Sequence, residues 1–526
     1  MRIKNTRCKT GIVMQFKQLS RIILLLTITL FTFSENVEAK AIKMAISSAP
    51  SNLSPFYATD ANSQNINRLV HLTLTDFSKD MSFVCRFCES FEERMDGKKH
   101  IISFKLKQDV KFWDGETVSA KDVYNSWKYF TDKEFIKSKF GFGLSRIKNV
   151  KVINNFHVEL IYDEYNPDNL SDLALLKIVK IKKDKIVPNI SFKDITGAGP
   201  YKIKSESELE VVLTPVVKGK LDLVFKVVKD ETTLALKLIN KEIDLSLASI
   251  SPRKLFWLKE NVKGIDFHNV EGTNLIYMGV NHKNEFLKDL NIRKAISLLI
   301  PREQIIKYKL KGTASPASSF FSEAFTAMYI ENGFDKYNPK ESEKLFKESG
   351  FTKSEDGIWQ RSGKKLSLTF RVSNNKNTIE TVETIKDFLK KGGVDVTVSV
   401  QEWGTFYRNL KQGNFDLIIG QWVGFTGPAI LRFVFHSESV PPNGANRGNF
   451  INKEFDQLID KATIEQDEKK RNNYYKQALE ISNREYSYIN LWHPNIIWIG
   501  RSCIKNIDVQ PNGSFLPLLK MVNDCE

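Results

Sequence analysis

The sequence predicts an α/β protein built on parallel sheets, and three stretches carry that expectation. Leu221 to Val228, Glu231 to Asn240 and Ile243 to Leu247 read as strand, helix and strand, a connection that sets the two strands parallel. Leu366 to Ile419 extends the pattern to β-α-β-α-β. Ile101 to Trp127 adds a strand, a turn and a capped helix. There Ile102, Phe104 and Leu106 alternate with Ser103, Lys105 and Lys107, and Asp114-Gly115 marks the turn. Ser119, with Asp122 three residues on, opens a helix that places Val123, Trp127 and Phe130 on one face.

A chain of 526 residues, 41% hydrophobic and 27% charged, is long enough for two or three domains. Its N-terminus reads as a targeting segment: Lys17 and Arg21 precede the apolar run Ile22 to Phe33, which is too short to span a bilayer. Val37-Glu38-Ala39 fits a small-residue cleavage site, so the mature chain is expected to start near Lys40, with Met14 an alternative start. No Cys near that point offers a lipid anchor, which favours a periplasmic location. The net charge is +16; residues 1–39 hold six basic and two acidic side chains, leaving +12 on the rest. The lysines are scattered singly, as on a solvated surface, with attraction to anionic ligands or membranes as the sharper reading. Nucleic-acid binding has no motif and conflicts with export.

In chain order, Ala41 to Ser47 reads as the first strand and Ser48 to Tyr57 as a Pro- and Ser-rich loop. Lys151 to Leu160 forms a hairpin across Asn154-Asn155. Gly197 to Ile203, GAGPYKI, enters a strand; a phosphate loop fails because neither Lys-Ser/Thr nor a helix follows. Asn274 to Asn281 is a strand, and Ile292, Ala295, Ile296 and Leu299 make one helix face. Within the long β-α-β-α-β run, Ile379, Val382, Ile385 and Leu389 line a helix stopped by Gly392-Gly393, and Val394, Val396, Val398 and Val400 alternate as a strand. Phe415 to Ile419 is a short run, apolar but for Asp416, as in a buried parallel strand. Ligands in such sheets bind beyond the carboxyl ends of the strands. That rule selects Ser373 to Asn375, Gln401 to Trp403 and Gln421 to Pro428, and in the first half of the chain Ser47 to Ser51 and Ser249 to Arg253.

The wording of several stretches resembles the family 5 extracellular solute-binding proteins, the oligopeptide and dipeptide receptors of ABC importers. The resemblance lies in Glu89 to Glu92 and Asp96 to Lys98 ahead of Ile101 to Trp127, in Leu53-Ser54-Pro55, in Gly197 to Tyr201, in Asn274 to Asn281, in Arg293 to Ile296 and in Asn452 to Asp460 with Asp467 and Arg471. It implies a two-lobed α/β periplasmic binding protein fold (type II, large peptide-receptor class) with an extra subdomain in lobe one. The expected division is a signal peptide at 1–39, lobe one at 40–59, 171–270 and 486–526, the subdomain at 60–170 and lobe two at 271–485. The implied function is capture of a peptide or peptide-like solute by a monomer that delivers it to a membrane permease, without a cofactor. A non-peptide solute, such as a sugar derivative or metal chelate, is the alternative. A secreted peptidase is a third reading, against which stands the absence of His-Glu-x-x-His and Gly-x-Ser-x-Gly.

The expected ligand-binding residues are Ser47, Ser48, Trp403, Gln421, Trp422, Gly424, Phe425, Asn446 and Arg447. Trp403 and Trp422 follow strand ends and offer flat walls with an N–H handle; the competing reading is lobe core. The loop from Gln421 to Pro428 corresponds to one that in many peptide receptors of the family carries an aspartate for the α-ammonium group. Phe425 takes that place here, with Glu402 as a possible substitute carboxylate. Arg447 would meet a carboxylate bidentately or serve as a surface residue. The seven histidines show no metal-ligand spacing. Cys85, Cys88, Cys503 and Cys525 allow three pairings: Cys503 with Cys525 would tie the C-terminal tail, and Cys85 with Cys88 would close a small loop. A metal site at Cys85-x-x-Cys88 would need a second ligand pair that is not visible nearby.

Overall fold

The computed structural model describes residues 41–525 apart from 248, 249, 332 and 334. The expected targeting segment, residues 1–39, lies outside the described residues, as does Ser249 of the second lobe-one loop. Lobe one opens with β1 (Ala41–Ile46) and α1 (Ala61–Val70). Asp60 caps α1 by accepting from the Ser63 backbone N–H at 2.9 Å. Ile66, Leu69 and Val70 of α1 are buried in the core of lobe one, a burial that contributes on the order of 6 kcal/mol.

The extra subdomain follows. Its sheet holds β2 (Cys88–Asp96), β3 (Lys99–Leu106), β4 (Ile147–Asn154) and β5 (His157–Tyr162), ordered β2-β3-β5-β4 and antiparallel throughout. Between β3 and β4 lies α2 (Ala120–Thr131), opened by the Ser119/Asp122 capping box. Val123, Trp127 and Phe130 of α2 pack on Ile102, Phe104 and Leu106 of β3. The core of this subdomain does not keep to residues 60–170. It runs on through Leu173, Leu176, Ile178, Val179 and Ile195 to Ala198, whereas α1 packs with lobe one. The reason is burial: α1 presents its apolar stripe to β1 and its neighbours, and 173–198 closes the far side of α2.

The chain returns to lobe one with β6 (Tyr201–Glu206), β7 (Glu210–Pro215), β8 (Asp222–Val227), α3 (Glu231–Ile239) and β9 (Leu245–Leu247). Both β8 and β9 pair parallel with β1, which lies between them. Gly199, just before β6, meets the end of α1: a Cβ there would sit 2.3 Å from the Val70 carbonyl carbon and oxygen. The Gly-x-Gly-Pro stretch is therefore an architectural joint.

β10 (Ile265–Glu271) leads across to lobe two through β11 (Leu275–Val280) and α4 (Leu290–Leu298). Then come β12 (Ser367–Ser373), α5 (Lys376–Lys391), β13 (Asp395–Gln401), α6 (Trp403–Gln412) and β14 (Leu417–Trp422). The helices α7 (Lys453–Ile464) and α8 (Glu468–Arg484) complete the lobe. β12 pairs parallel with β13 and β14, and β11 pairs antiparallel with β14. Leu417 and Ile419 face one core cluster and Ile418 the other, which explains the unbroken apolar run of this strand. β13 is the edge of the sheet, and there the expected alternation fades, with Val400 exposed.

One strand, β15 (Tyr488–Arg501), belongs to both lobes. Its first half pairs with β11, and its second half with β9 and β10. The lobes thus share a single continuous sheet ordered β6-β7-β8-β1-β9-β15-β11-β14-β12-β13. The switch between lobes falls at Gly272 and Pro494, joined by a backbone hydrogen bond of 3.1 Å. Gly272 falls beside the expected start of lobe two at 271, and Pro494 lies several residues beyond its expected end at 485. Disulfides join Cys85 to Cys88 and Cys503 to Cys525, one of the three arrangements that four cysteines allow.

Where α1 meets the subdomain, three cations surround one buried carboxylate. Arg86 and Arg68 approach Asp76 at 3.5 and 3.9 Å. Lys177 is 2% exposed and donates to the Ala174 carbonyl. Burial first, and then Arg68, push its ammonium down to about 7; Asp76 opposes them, and Arg86 adds a smaller push in the same direction.

Candidate functional site

The loop that follows β14 reaches the extra subdomain. Thr426, Gly427, Pro428 and Ala429 line a cavity of about 430 Å³ closed on the opposite side by Asp80, Met81, Ser82 and Phe83. Pro167, Asp168 and Ser171 of the subdomain, and Glu468, Arg471 and Tyr475 of lobe two, complete the wall. The volume falls within the ~300–1,000 Å³ of small-molecule sites. Phe77, Met81 and Ala174 of the first half of the chain join the apolar cluster of lobe two beside the cavity. Apolar contact therefore holds the two sides together.

The polar groups of the wall differ in what already occupies them. Asp80 accepts from the Ser82 backbone N–H and hydroxyl at 3.2 and 2.7 Å; hydrogen bonds from Ser78 and Ser82 hold its carboxyl below the usual range. Burial raises the Asp168 carboxyl, against a smaller lowering by Arg146. Its side chain nonetheless keeps 46% exposure. Arg471 donates to the Glu465 and Gln466 carbonyls at 3.2 and 3.1 Å and lies 5.7 Å over the Tyr165 ring. Burial pushes the Tyr165 hydroxyl up to about 12.

A second recess, about 290 Å³, opens at the carboxyl ends of β1 and β9 and is lined by Ser47, Ser48, Asp60, Asn62, Leu247 and Phe515. The Asn62 amide donates to the Ser48 carbonyl and hydroxyl at 2.9 and 3.2 Å. Burial would raise Asp60, but hydrogen bonds from Ser51 and Ser63 outweigh it and hold its carboxyl at about 2. Of the loops selected by the strand-end rule, Ser47 and Ser48 line this recess and Thr426 to Pro428 line the first cavity.

The other expected residues fare differently. Trp403 is 58% exposed and stacks on Tyr407 at the start of α6. Glu402 is no substitute carboxylate: it caps α6, accepting from Gly404 and Thr405 at 2.7 and 3.2 Å. Gln421 and Trp422 belong to β14 rather than to the loop after it, Trp422 being paired with Leu275. Gly424 takes φ +69°, turning the chain away from the strand. Phe425 is 8% exposed and packs on Phe320, Phe321 and Phe325, so it is core and not cleft wall. Asn446, 2% exposed, spends its amide on the carbonyls of Phe435, His436 and Phe450; it is a structural turn residue. Arg447 lies 5.4 Å over the Trp422 ring, and among the described residues no carboxylate lies within 4 Å of it. Beneath it Tyr277 and Tyr488 stack at 3.9 Å.

Of the cavity residues in segments 80–83, 167–171 and 468–475, Arg471 alone was singled out in the sequence, as part of the family resemblance and not as a site residue. They meet only through the fold. Among the described residues no group of His, Cys, Asp and Glu is placed to hold a metal ion. No helix there is long and apolar enough to cross a membrane.

Two lobes on one shared sheet with a cavity where they meet form the architecture of a two-lobed binding protein. The chain belongs to the bacterial extracellular solute-binding proteins, family 5, whose middle region matches residues 83–438. It is similar to the oligopeptide-binding protein AppA of Bacillus subtilis, 25% identical over 471 residues, 85% of this chain and 84% of that protein. In structure it is similar to NikA from Brucella suis in complex with Fe(III)-EDTA, with TM-score 0.79 and 21% identity over 92% of this chain and 100% of that one. It is likewise similar to NikZ from Campylobacter jejuni in complex with Ni(L-His), with TM-score 0.69 and 24% identity over 89% and 96%. The family is one of receptors, so the peptidase reading falls away.

Proposed function

We propose that this protein is the exported receptor of an ABC importer that captures a peptide or peptide-like solute between its lobes. The observation that carries the reading is the cleft of about 430 Å³ at the contact of the subdomain with lobe two. A solute there touches both bodies and so favours their closed arrangement through its differential contacts. The closed form then docks on a membrane permease as a monomer in the periplasm, after loss of residues 1–39. The name of the Bacillus relative supports a peptide as the cargo.

A metal chelate is the second reading. It is favoured by the apolar burial of Phe425, which leaves that loop without a carboxylate, and by the chelates in the two structural neighbours. Native mass spectrometry of the protein as purified, followed by denaturing identification of what is released, separates the two. A ladder of masses that fragment as peptides supports the first reading; a single non-peptide or metal-containing mass overturns it.

A further inference from the structure

We propose that an aromatic and basic face spanning both lobes, built on Phe256, Trp257 and Tyr308, adsorbs the protein to an anionic lipid bilayer. None of these residues lines the interlobe cavity, and the inference does not depend on which solute is carried.

The helix Pro252–Asn261 turns Leu255 and Leu258 into the core of lobe one. That stripe seats the helix, yet Phe256 and Trp257 sit on its outer side, 41 and 51% exposed. Lobe two continues the face. Lys311 places its ammonium 5.4 Å from the centre of the Phe256 ring. Tyr308, three residues earlier, is 64% exposed, with the Lys307 ammonium 5.2 Å over its ring. Lys309, between Tyr308 and Lys311, donates to Glu380 of α5 at 2.7 Å. Arg253 of lobe one faces the same carboxylate: Glu380 is held below its usual range by Lys309 first, then by Lys376 and Arg253. These contacts join three large aromatic side chains from two lobes into one surface.

The charge on this face is unbalanced. Glu231 pairs with Lys254, and Glu380 with Lys309. Arg253, Lys259, Lys263, Lys307 and Lys311 have no carboxylate within 4 Å among the described residues. Glu260 and Glu303 are the acids that oppose them nearby in the chain. Exposed rings set among surplus cations match the chemistry of an anionic bilayer. Trp and Tyr rings settle at headgroup depth, while Lys and Arg reach the lipid phosphates on long apolar stems. A solvated surface accounts for the lysines but leaves three rings in water without a use. The +12 carried outside residues 1–39 supplies long-range attraction, and this face supplies an orientation. Lobe one contributes Phe256 and Trp257 and lobe two contributes Tyr308, so separating the lobes would divide the face.

The test is flotation of the chain without residues 1–39, whose apolar run would bind any bilayer. One set of vesicles holds phosphatidylcholine and phosphatidylglycerol in equal parts, and the other phosphatidylcholine alone. At least about tenfold more binding to the anionic vesicles is expected, as several surplus Lys and Arg at such a surface imply, and salt should weaken it. Trp257→Ala/Tyr308→Ala and, separately, Lys307→Glu/Lys311→Glu should each bind the anionic vesicles at least about fivefold less than the parent. Lys105→Glu/Lys151→Glu, the same charge change on the sheet of the subdomain, should bind as the parent does. All six side chains are exposed, so the variants should melt with the parent. No binding, equal binding to both vesicle types, an aromatic variant that binds normally, or equal losses in the two charge variants overturns the proposal. So does binding to native inner-membrane vesicles without binding to the protein-free ones, which would assign the face to a membrane protein. The comparison of lipids needs no variant, so a misfolded mutant cannot mask the outcome.

Discussion

Replacing Lys177 by Met is expected to stabilise the protein below neutral pH and to do so less and less as the pH rises. Lys177 titrates at about 7 in the folded protein and at 10.5 ordinarily. Below pH 7 both folded and unfolded chains hold the proton, and the cost of burying the ammonium beside Arg68 and Arg86 stands in full. Between 7 and 10.5 the folded chain has released the proton while the unfolded chain keeps it. Stability then rises with pH by up to ~1.4 kcal/mol per unit, on the order of 5 kcal/mol across the window. Methionine preserves the side-chain volume and removes the titration, at a cost of about 1 kcal/mol for the Ala174 carbonyl left without its donor. The assay is urea unfolding of both proteins, disulfides intact, at unit steps from pH 6 to pH 10. The variant should be the more stable by several kcal/mol at pH 6, and the gap should close steadily above pH 7. Parallel profiles would show that the ammonium is solvated or compensated and would refute the reasoning.

Three further outcomes follow from the geometry. Phe425→Asp sets a carboxylate among Phe320, Phe321 and Phe325 and should cost about 3–5 kcal/mol; calorimetry showing an unchanged melting temperature would mean that Phe425 faces the cleft after all. Gly199→Ala drives a Cβ to 2.3 Å from the Val70 carbonyl and should cost about 1–3 kcal/mol in chemical denaturation, whereas alanine at Gly427, where nothing lies within 4 Å, should be tolerated. Cys525→Ser opens a loop between residues 22 apart and should cost about 3 kcal/mol. Reductant should then lower the stability of the parent more than that of the variant, and an equal effect on both would contradict the tie.

Local pattern carried most of the architecture. Alternation identified β3, the Ser119/Asp122 pair identified the start of α2, and Gly393, at φ +87°, ends α5 as its position suggested. Each of these signals is written within a few residues, where backbone chemistry acts. The site was legible only in part. Strand ends named the loop that enters the cavity and the recess at Ser47 and Ser48, because topology alone decides where strands end. The direction of a side chain within a loop is set by distant partners. Phe425 turns inward because Phe320 to Phe325, a hundred residues earlier, build an aromatic nest for it. Asn446 looks like any polar loop residue until three carbonyls converge on its amide. Asp168 and Glu468, 300 positions apart, share a wall that no local pattern announces.

The hydrogen bond from Gly272 to Pro494 places the two passages of the chain between the lobes side by side. Everything from Leu275 to Trp492 therefore leaves and re-enters through one narrow doorway, its ends adjacent in β11 and β15, where Ile276 pairs with Trp492. Lobe two is in this sense a cassette. A few glycines joining Thr273 to Asn495 would bypass it without stretching the remaining chain, and its own ends could be spliced into a new order of elements. Lobe one, by contrast, is stitched from segments on either side of lobe two, and no single cut releases it.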